Sequence, residues 1–167
     1  LFRSKKEYLK QKVSYMKTSQ TYKDLFYQAM RIRLVEEKII ELYPSDLIQS
    51  PVHLSIGQEA VATGICVNLN VSDMVFINYR GHAYYLAKGG PLPEFFAELM
   101  GRGTGICKGK GGSMHLADPL NGTMGASAVV ASTISHAVGA ALAERIKKEN
   151  KIFIAVFGDG AVEQGVL

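Results

Sequence analysis

The sequence predicts an α/β fold whose sheet is mainly parallel, with helices on both faces. Three observations carry that expectation. Two short apolar runs, MVFIN (74–78) and IFIAVF (152–157), have the length of buried strands and are flanked by turn residues. Segments with helical spacing of apolar residues precede and separate them. Both runs end in residues suited to anion chemistry, NYRGH (78–82) and FGDGA (157–161), and open α/β sheets gather their ligands beyond the carboxyl ends of strands.

The elements follow in chain order. Residues 19–43 read as one long amphipathic helix, with Leu25, Met30, Leu34 and Ile39 at near-helical spacing and charges between them. Ser19 or Thr21 can cap its start, and Pro44 opens the loop PSDLIQSP. GQEAVATGICVNL (57–69) reads as a second helix, rich in small residues. Strand 74–78 follows, then two short helices near 81–88 and 92–101. The tract GRGTGICKGKGGSMHLADPLNGTMGAS holds eight glycines in 27 residues and reads as an ordered loop rather than a helix or strand. Residues 128–150 read as a tightly packed helix with a basic last turn, which suits the negative end of the helix dipole. Strand 152–157 follows, and a further helix is expected to open after Gly-Asp-Gly.

Composition narrows the function classes. At 167 residues and 47% hydrophobic, the chain can bury a core of its own. No apolar run approaches the roughly 20 residues of a membrane span. Cys66 and Cys107 form no CxxC or Cys/His ligand spacing, which favours free thiols in a reducing compartment. The net charge of +4 is uneven: residues 1–41 carry 10 Lys/Arg against 5 Asp/Glu, the rest 9 against 10. Without interleaved aromatics, the basic excess reads as a solvated helix face, not a nucleic-acid patch. GRGTGICKG imitates a nicotinamide fingerprint, but no strand is expected before it. The chain opens on Leu1 rather than Met and closes inside an apolar helical pattern, so it is expected to be part of a longer chain.

The chemistry centres on Gly158, Asp159 and Gly160. Glycines let the backbone turn and let a ligand approach. The start of a following helix favours phosphate, but an aspartate beside bare phosphate is repulsive. A divalent cation resolves the conflict, since Mg²⁺ takes one carboxylate together with phosphate oxygens. The competing reading is a helix-capping aspartate in a turn, and these three residues alone do not separate the two. Arg80, at the other strand end, offers the forked donors that suit phosphate, and Tyr79 adds a hydroxyl.

HLSIGQEAV, YRGHAYYLAKG, AELMGRGTGICKGKGGSMHL, SAVVAS with AVGAALA, and FGDGA occur together in this order. In this the chain resembles the alpha subunits of thiamine-diphosphate-dependent 2-oxo acid dehydrogenases, of the pyruvate and acetoin kinds, over roughly residues 20–167. The resemblance implies a thiamine-diphosphate-binding fold, with residues 1–50 an N-terminal helical segment and 51–167 a diphosphate-binding domain truncated at its C-terminal end. It implies that Asp159 ligates Mg²⁺ and that Gly160 and Ala161 present backbone to the diphosphate. Tyr79 and Arg80 would grip diphosphate oxygens, and main-chain groups of Ala128 and Val130 would meet the aminopyrimidine. His53 and His82 match histidines of the active-site region and are the catalytic candidates. Ser113, Met114 and Glu59 read as structural. An asparagine that completes the cofactor motif would lie beyond Leu167. Ser135 and His136 stand where many members carry proline and an apolar residue.

The resemblance further implies oxidative decarboxylation of a 2-oxo acid, pyruvate first, with acyl transfer to a lipoyl-bearing acyltransferase. A beta subunit would complete an α2β2 heterotetramer, and residues 1–167 alone are expected to be inactive. A bacterial cytoplasm is the expected location, with the mitochondrial matrix as alternative; no nucleic acid or membrane partner is expected. Acetoin or a branched-chain 2-oxo acid is the alternative substrate, and a non-enzymatic basic binding module the remote one.

Overall fold

A computed structural model describes residues 19–167. Part of the expected N-terminal segment, and with it much of the basic excess, lies outside the described residues. The elements are α1 (Ser19–Leu42), α2 (Glu59–Cys66), β1 (Met74–Asn78), α3 (His82–Ala87), α4 (Leu92–Leu99), β2 (Thr123–Ser127), α5 (Ser132–Lys147) and β3 (Phe153–Ala155). Among the described residues no helix is long and apolar enough to cross a membrane.

The sheet has the order β2-β1-β3, and both pairings are parallel. Val75 pairs with Thr123 on one side and Ile154 on the other. Successive strand residues face opposite ways. Val75 and Ile77 therefore join the core built with Ile32, Val35 and Ile39 of α1 and with α3 and α4. Phe76 faces the other layer, where its ring lies 6.5 Å from that of His136 on α5. Helices thus cover both faces, and all three strands point their carboxyl ends the same way.

Three expectations need correction. The glycine-dense tract is not loop throughout, because its last five residues form β2. Small residues such as Gly125 and Ala126 carry little strand propensity, and the neighbouring β1 supplies the pairing instead. Helix α5 begins at Ser132, not 128, and Val138, Leu142 and Ile146 on it are exposed rather than tightly packed. After Gly158 the backbone makes only a 3₁₀ turn, Asp159–Glu163.

The inward face of α1 also differs from the apolar count. Of Leu25, Met30, Leu34 and Ile39, only Ile39 is buried in the core, while Met30 and Leu34 are 39% and 58% exposed. The packed stripe is Ile32, Val35 and Ile39, at i, i+3 and i+7. Polar anchors on the same side set this rotation. Arg31 donates to the carbonyls of Leu86 and Gly90 at 2.9 and 3.1 Å, and Glu36 is fully buried. Burying each aliphatic side chain of the stripe contributes roughly 2 kcal/mol.

Both cysteines are free thiols. Burial pushes the Cys66 thiol up to about 12, which leaves it inert at neutral pH.

Candidate functional site

Because the strands are parallel, three loops leave the sheet at one edge. They enclose a cleft of about 310 Å³ lined by Asn78 and Tyr79 after β1, by Val130 and Ala131 after β2, and by Phe157–Ala161 with Gln164 after β3. Of the sequence-derived residues, Tyr79, Val130, Asp159, Gly160 and Ala161 meet here.

Each wall has a local cause. Asn78 turns its side-chain oxygen back onto the Arg80 main-chain N–H at 3.0 Å, which fixes the turn out of β1. Ser127 Oγ accepts the Val129 N–H at 3.2 Å, and Ser132 Oγ donates to the Val129 carbonyl at 2.8 Å. These bonds hold Ala131 in the left-handed region, φ 67°, where a residue with a Cβ is rare. Such strain is commonest at functional sites. After β3, the Ala161 N–H closes a turn onto the Gly158 carbonyl at 3.0 Å and leaves the Asp159 side chain exposed.

The other candidates sit beside or behind the cleft. The His53 ring meets Tyr79 edge-on, with centroids 4.9 Å apart, and its Nδ1 is buried without a hydrogen-bond partner. Arg80 Nη1 donates to the Leu54 carbonyl, which draws the guanidinium toward the His53 segment. Ala128 is exposed in the β2–α5 connection. His82 is fully buried one layer back: its Nδ1 lies 3.1 Å from Glu36 Oε1 and its Nε2 lies 2.8 Å from Ser113 Oγ. Glu59 accepts the Gly57 N–H at 3.0 Å and Arg33 Nε at 2.7 Å, at the start of α2.

The donor set fits a phosphate group bridged by a divalent cation. A Cβ added at Gly158 or Gly160 would meet nothing within 4 Å, so the backbone there is open to a ligand. Among the described residues no group of three or more His, Cys, Asp or Glu could hold a metal by itself. One carboxylate, Asp159, with phosphate oxygens completing the shell, is an arrangement Mg²⁺ accepts.

Sequence reasoning missed Asn78, Ala131, Phe157 and Gln164 as cleft walls, and Glu36 behind them. Asn78 carried a usable signal, as an Asx residue at a strand end. Nothing in the sequence marks Ala131 as left-handed.

The family described as dehydrogenase E1 component matches residues 27–167. The alpha subunit of acetoin:2,6-dichlorophenolindophenol oxidoreductase from Bacillus subtilis is 40% identical over 141 residues, 84% of this chain and 42% of that protein. The mitochondrial pyruvate dehydrogenase E1 component subunit alpha of Solanum tuberosum is 40% identical over 142 residues, 85% of this chain and 36% of that protein. The corresponding Rickettsia felis subunit is 39% identical over 151 residues, 90% of this chain and 46% of its own. The chain therefore spans roughly two fifths of the length of these curated relatives. With its motifs in order, its strand ends converging on one cleft and its length matched from residue 27 onward, the chain belongs to the dehydrogenase E1 component family.

Proposed function

We propose that this chain supplies the diphosphate-and-Mg²⁺ side of a thiamine-diphosphate-dependent 2-oxo acid dehydrogenase, within its alpha subunit. The observation that carries the reading is the meeting of Tyr79, Val130 and Asp159–Ala161 at the carboxyl ends of three parallel strands, in a member of this family. The reaction is oxidative decarboxylation of pyruvate, with the acyl group passed to a lipoyl-bearing acyltransferase. A beta subunit completes the site in an α2β2 heterotetramer, in a bacterial cytoplasm or a mitochondrial matrix.

When bound, thiamine diphosphate supplies the electron sink that lets a 2-oxo acid lose carbon dioxide. This chain's own residues hold and orient. Asp159 would ligate the cation, the Gly160 and Ala161 backbone would border the diphosphate, and Tyr79 and Arg80 would offer donors to its oxygens. Val130 and Ala128 would present main-chain groups to the aminopyrimidine end. His53, held against Tyr79 with a free buried Nδ1, can hold or pass a proton beside the substrate.

A second reading, acetoin as substrate, is favoured by the Bacillus subtilis relative, which is as similar as the pyruvate relatives. Turnover of the full complex with pyruvate, acetoin and branched-chain 2-oxo acids separates these readings. The decisive test of the cofactor is calorimetric titration of thiamine diphosphate with Mg²⁺ into the full-length chain co-purified with its beta partner. Metal-dependent binding, lost in Asp159→Ala, is expected. Absence of binding by the wild type overturns the reading. Residues 1–167 alone are expected to show no decarboxylation.

A further inference from the structure

One buried carboxylate contacts the segment that follows Tyr79 and the His53 segment packed on Tyr79, and reaches a third segment through one side chain. Glu36, on α1, is fully buried. Its Oε1 accepts the Ser55 main-chain N–H at 3.1 Å, two residues after His53. Both its oxygens face His82 Nδ1, at 3.1 and 3.2 Å, two residues after Arg80. His82 Nε2 in turn meets Ser113 Oγ at 2.8 Å, inside the glycine-dense tract. Ser113 Oγ then accepts the His53 main-chain N–H at 3.4 Å.

The proton inventory of this chain of contacts is closed. With Glu36 ionised its oxygens can only accept, and His82 Nδ1 then carries a hydrogen. In the neutral ring Nε2 then accepts the Ser113 O–H, and a Ser113 lone pair remains for the His53 N–H. Every member is satisfied in one tautomer, with the His82 ring further fixed edge-on to Phe95 at 5.1 Å. A satisfied buried network of this kind defines one geometry, because an unmade bond at any point leaves a buried polar atom without a partner.

We propose that Glu36 is a positioning residue for the substrate side of the cleft, acting through His82, Ser113 and Ser55 to hold the His53 segment against Tyr79. The proposal rests on the functional reading above for its catalytic consequence, but not for its geometry. Glu36 touches neither the cleft nor a ligand. Its effect is to fix where the free Nδ1 of His53 stands, and misplacement of a reacting group by about 1 Å can cost on the order of a hundredfold in rate.

The test uses the full-length chain in complex with its beta partner, as wild type, Glu36→Gln and Ser113→Ala. Histidine modification by diethyl pyrocarbonate is followed residue by residue by mass spectrometry without cofactor, with exposed His115 as control. In both variants His53 is expected to react about fivefold faster and His115 at the wild-type rate. Turnover is expected to fall about tenfold, with cofactor affinity within about twofold of wild type. Unchanged His53 reactivity and unchanged turnover in folded variants overturn the proposal. Equal acceleration at all histidines, or cofactor affinity falling in step with turnover, also overturns it, since general loosening then explains the loss. If Glu36→Gln does not fold, Ser113→Ala decides alone, because it removes one hydroxyl. If the wild-type complex shows no thiamine-dependent turnover, the functional reading fails, and the modification rates still decide the positioning role.

Discussion

The Glu98 carboxylate accepts the Gly111 main-chain N–H at 2.6 Å, and the same side chain takes three more N–H groups, from Cys107, Gly109 and Gly112, at 2.8, 2.9 and 3.0 Å. Close packing in the tract leaves no room for a side chain at several of these glycines. A Cβ on Gly105 would lie 2.5 Å from Glu98 Oε2, and one on Gly111 would lie 2.5 Å from the His115 carbonyl. Replacing Glu98 by Gln sets an amide against N–H donors in a buried site. It is expected to destabilise the fold by about 3 kcal/mol, read from the urea midpoint.

Acid stability follows from the same group. Burial pushes the Glu98 carboxyl up, but the N–H bonds from Gly109, Gly111, Cys107 and Gly112 outweigh it and hold the group below its ordinary value. The folded value is thus lower than the unfolded one, so the ionised form favours folding. That contribution is complete above the ordinary carboxylate value of about 4.3 and is lost as pH falls through the folded value. Wild type is expected to lose stability from about pH 5 downward, and Glu98→Gln to lose less over the same interval. Urea midpoints measured at several pH values check this.

Gly122 directly precedes the strand that the sequence hid. Its φ is 76°, and a Cβ there would lie 2.2 Å from the Asp73 carbonyl. Asp73 also accepts the Asn70 N–H at 2.7 Å and the Ile152 N–H at 2.9 Å, so the entries to β1, β2 and β3 meet at this point. Gly122→Ala is expected to cost about 3 kcal/mol through strain and overpacking, visible as a lower thermal midpoint.

Tyr79 has two separable contributions. Tyr79→Phe keeps the ring against His53 and removes the hydroxyl, and is expected to cost about 1 kcal/mol of diphosphate affinity. Tyr79→Ala also removes the edge-on contact, worth about 1 kcal/mol more, and is expected to lower turnover further. Calorimetry and steady-state kinetics on the pair separate the two.

Strand ends were the legible part of this sequence. MVFIN and IFIAVF are apolar runs between turn signals, and both are strands, the second shortened to Phe153–Ala155. The residues after them needed no tertiary knowledge to be chosen as a site. β2 was illegible because TMGAS has no apolar period and owes its conformation to β1. Glu36 was illegible for another reason. On α1 it sits among Glu37, Lys38 and Glu41, and only the partners at Ser55 and His82 distinguish a buried hub from a solvated charge. Glu98 hid in the same way beside a tract whose glycines pointed to it only in three dimensions.

The strand order β2-β1-β3 places the middle strand first in the chain. Val75 pairs with Thr123 and with Ile154, both far along the chain, so the sheet exists only once those pairings have formed. Contacts so distant along the chain form slowly, because ordering the intervening residues precedes any gain from the pairing. The Gly158–Ala161 turn follows β3, the shortest of the described strands, and Gly158, Asp159 and Gly160 are exposed, so this turn is expected to open more easily than β1. Amide exchange is expected to run faster at Asp159 and Gly160 than at the buried Val75 and Ile77, and an anion that binds only the ordered turn would slow it in proportion to its affinity.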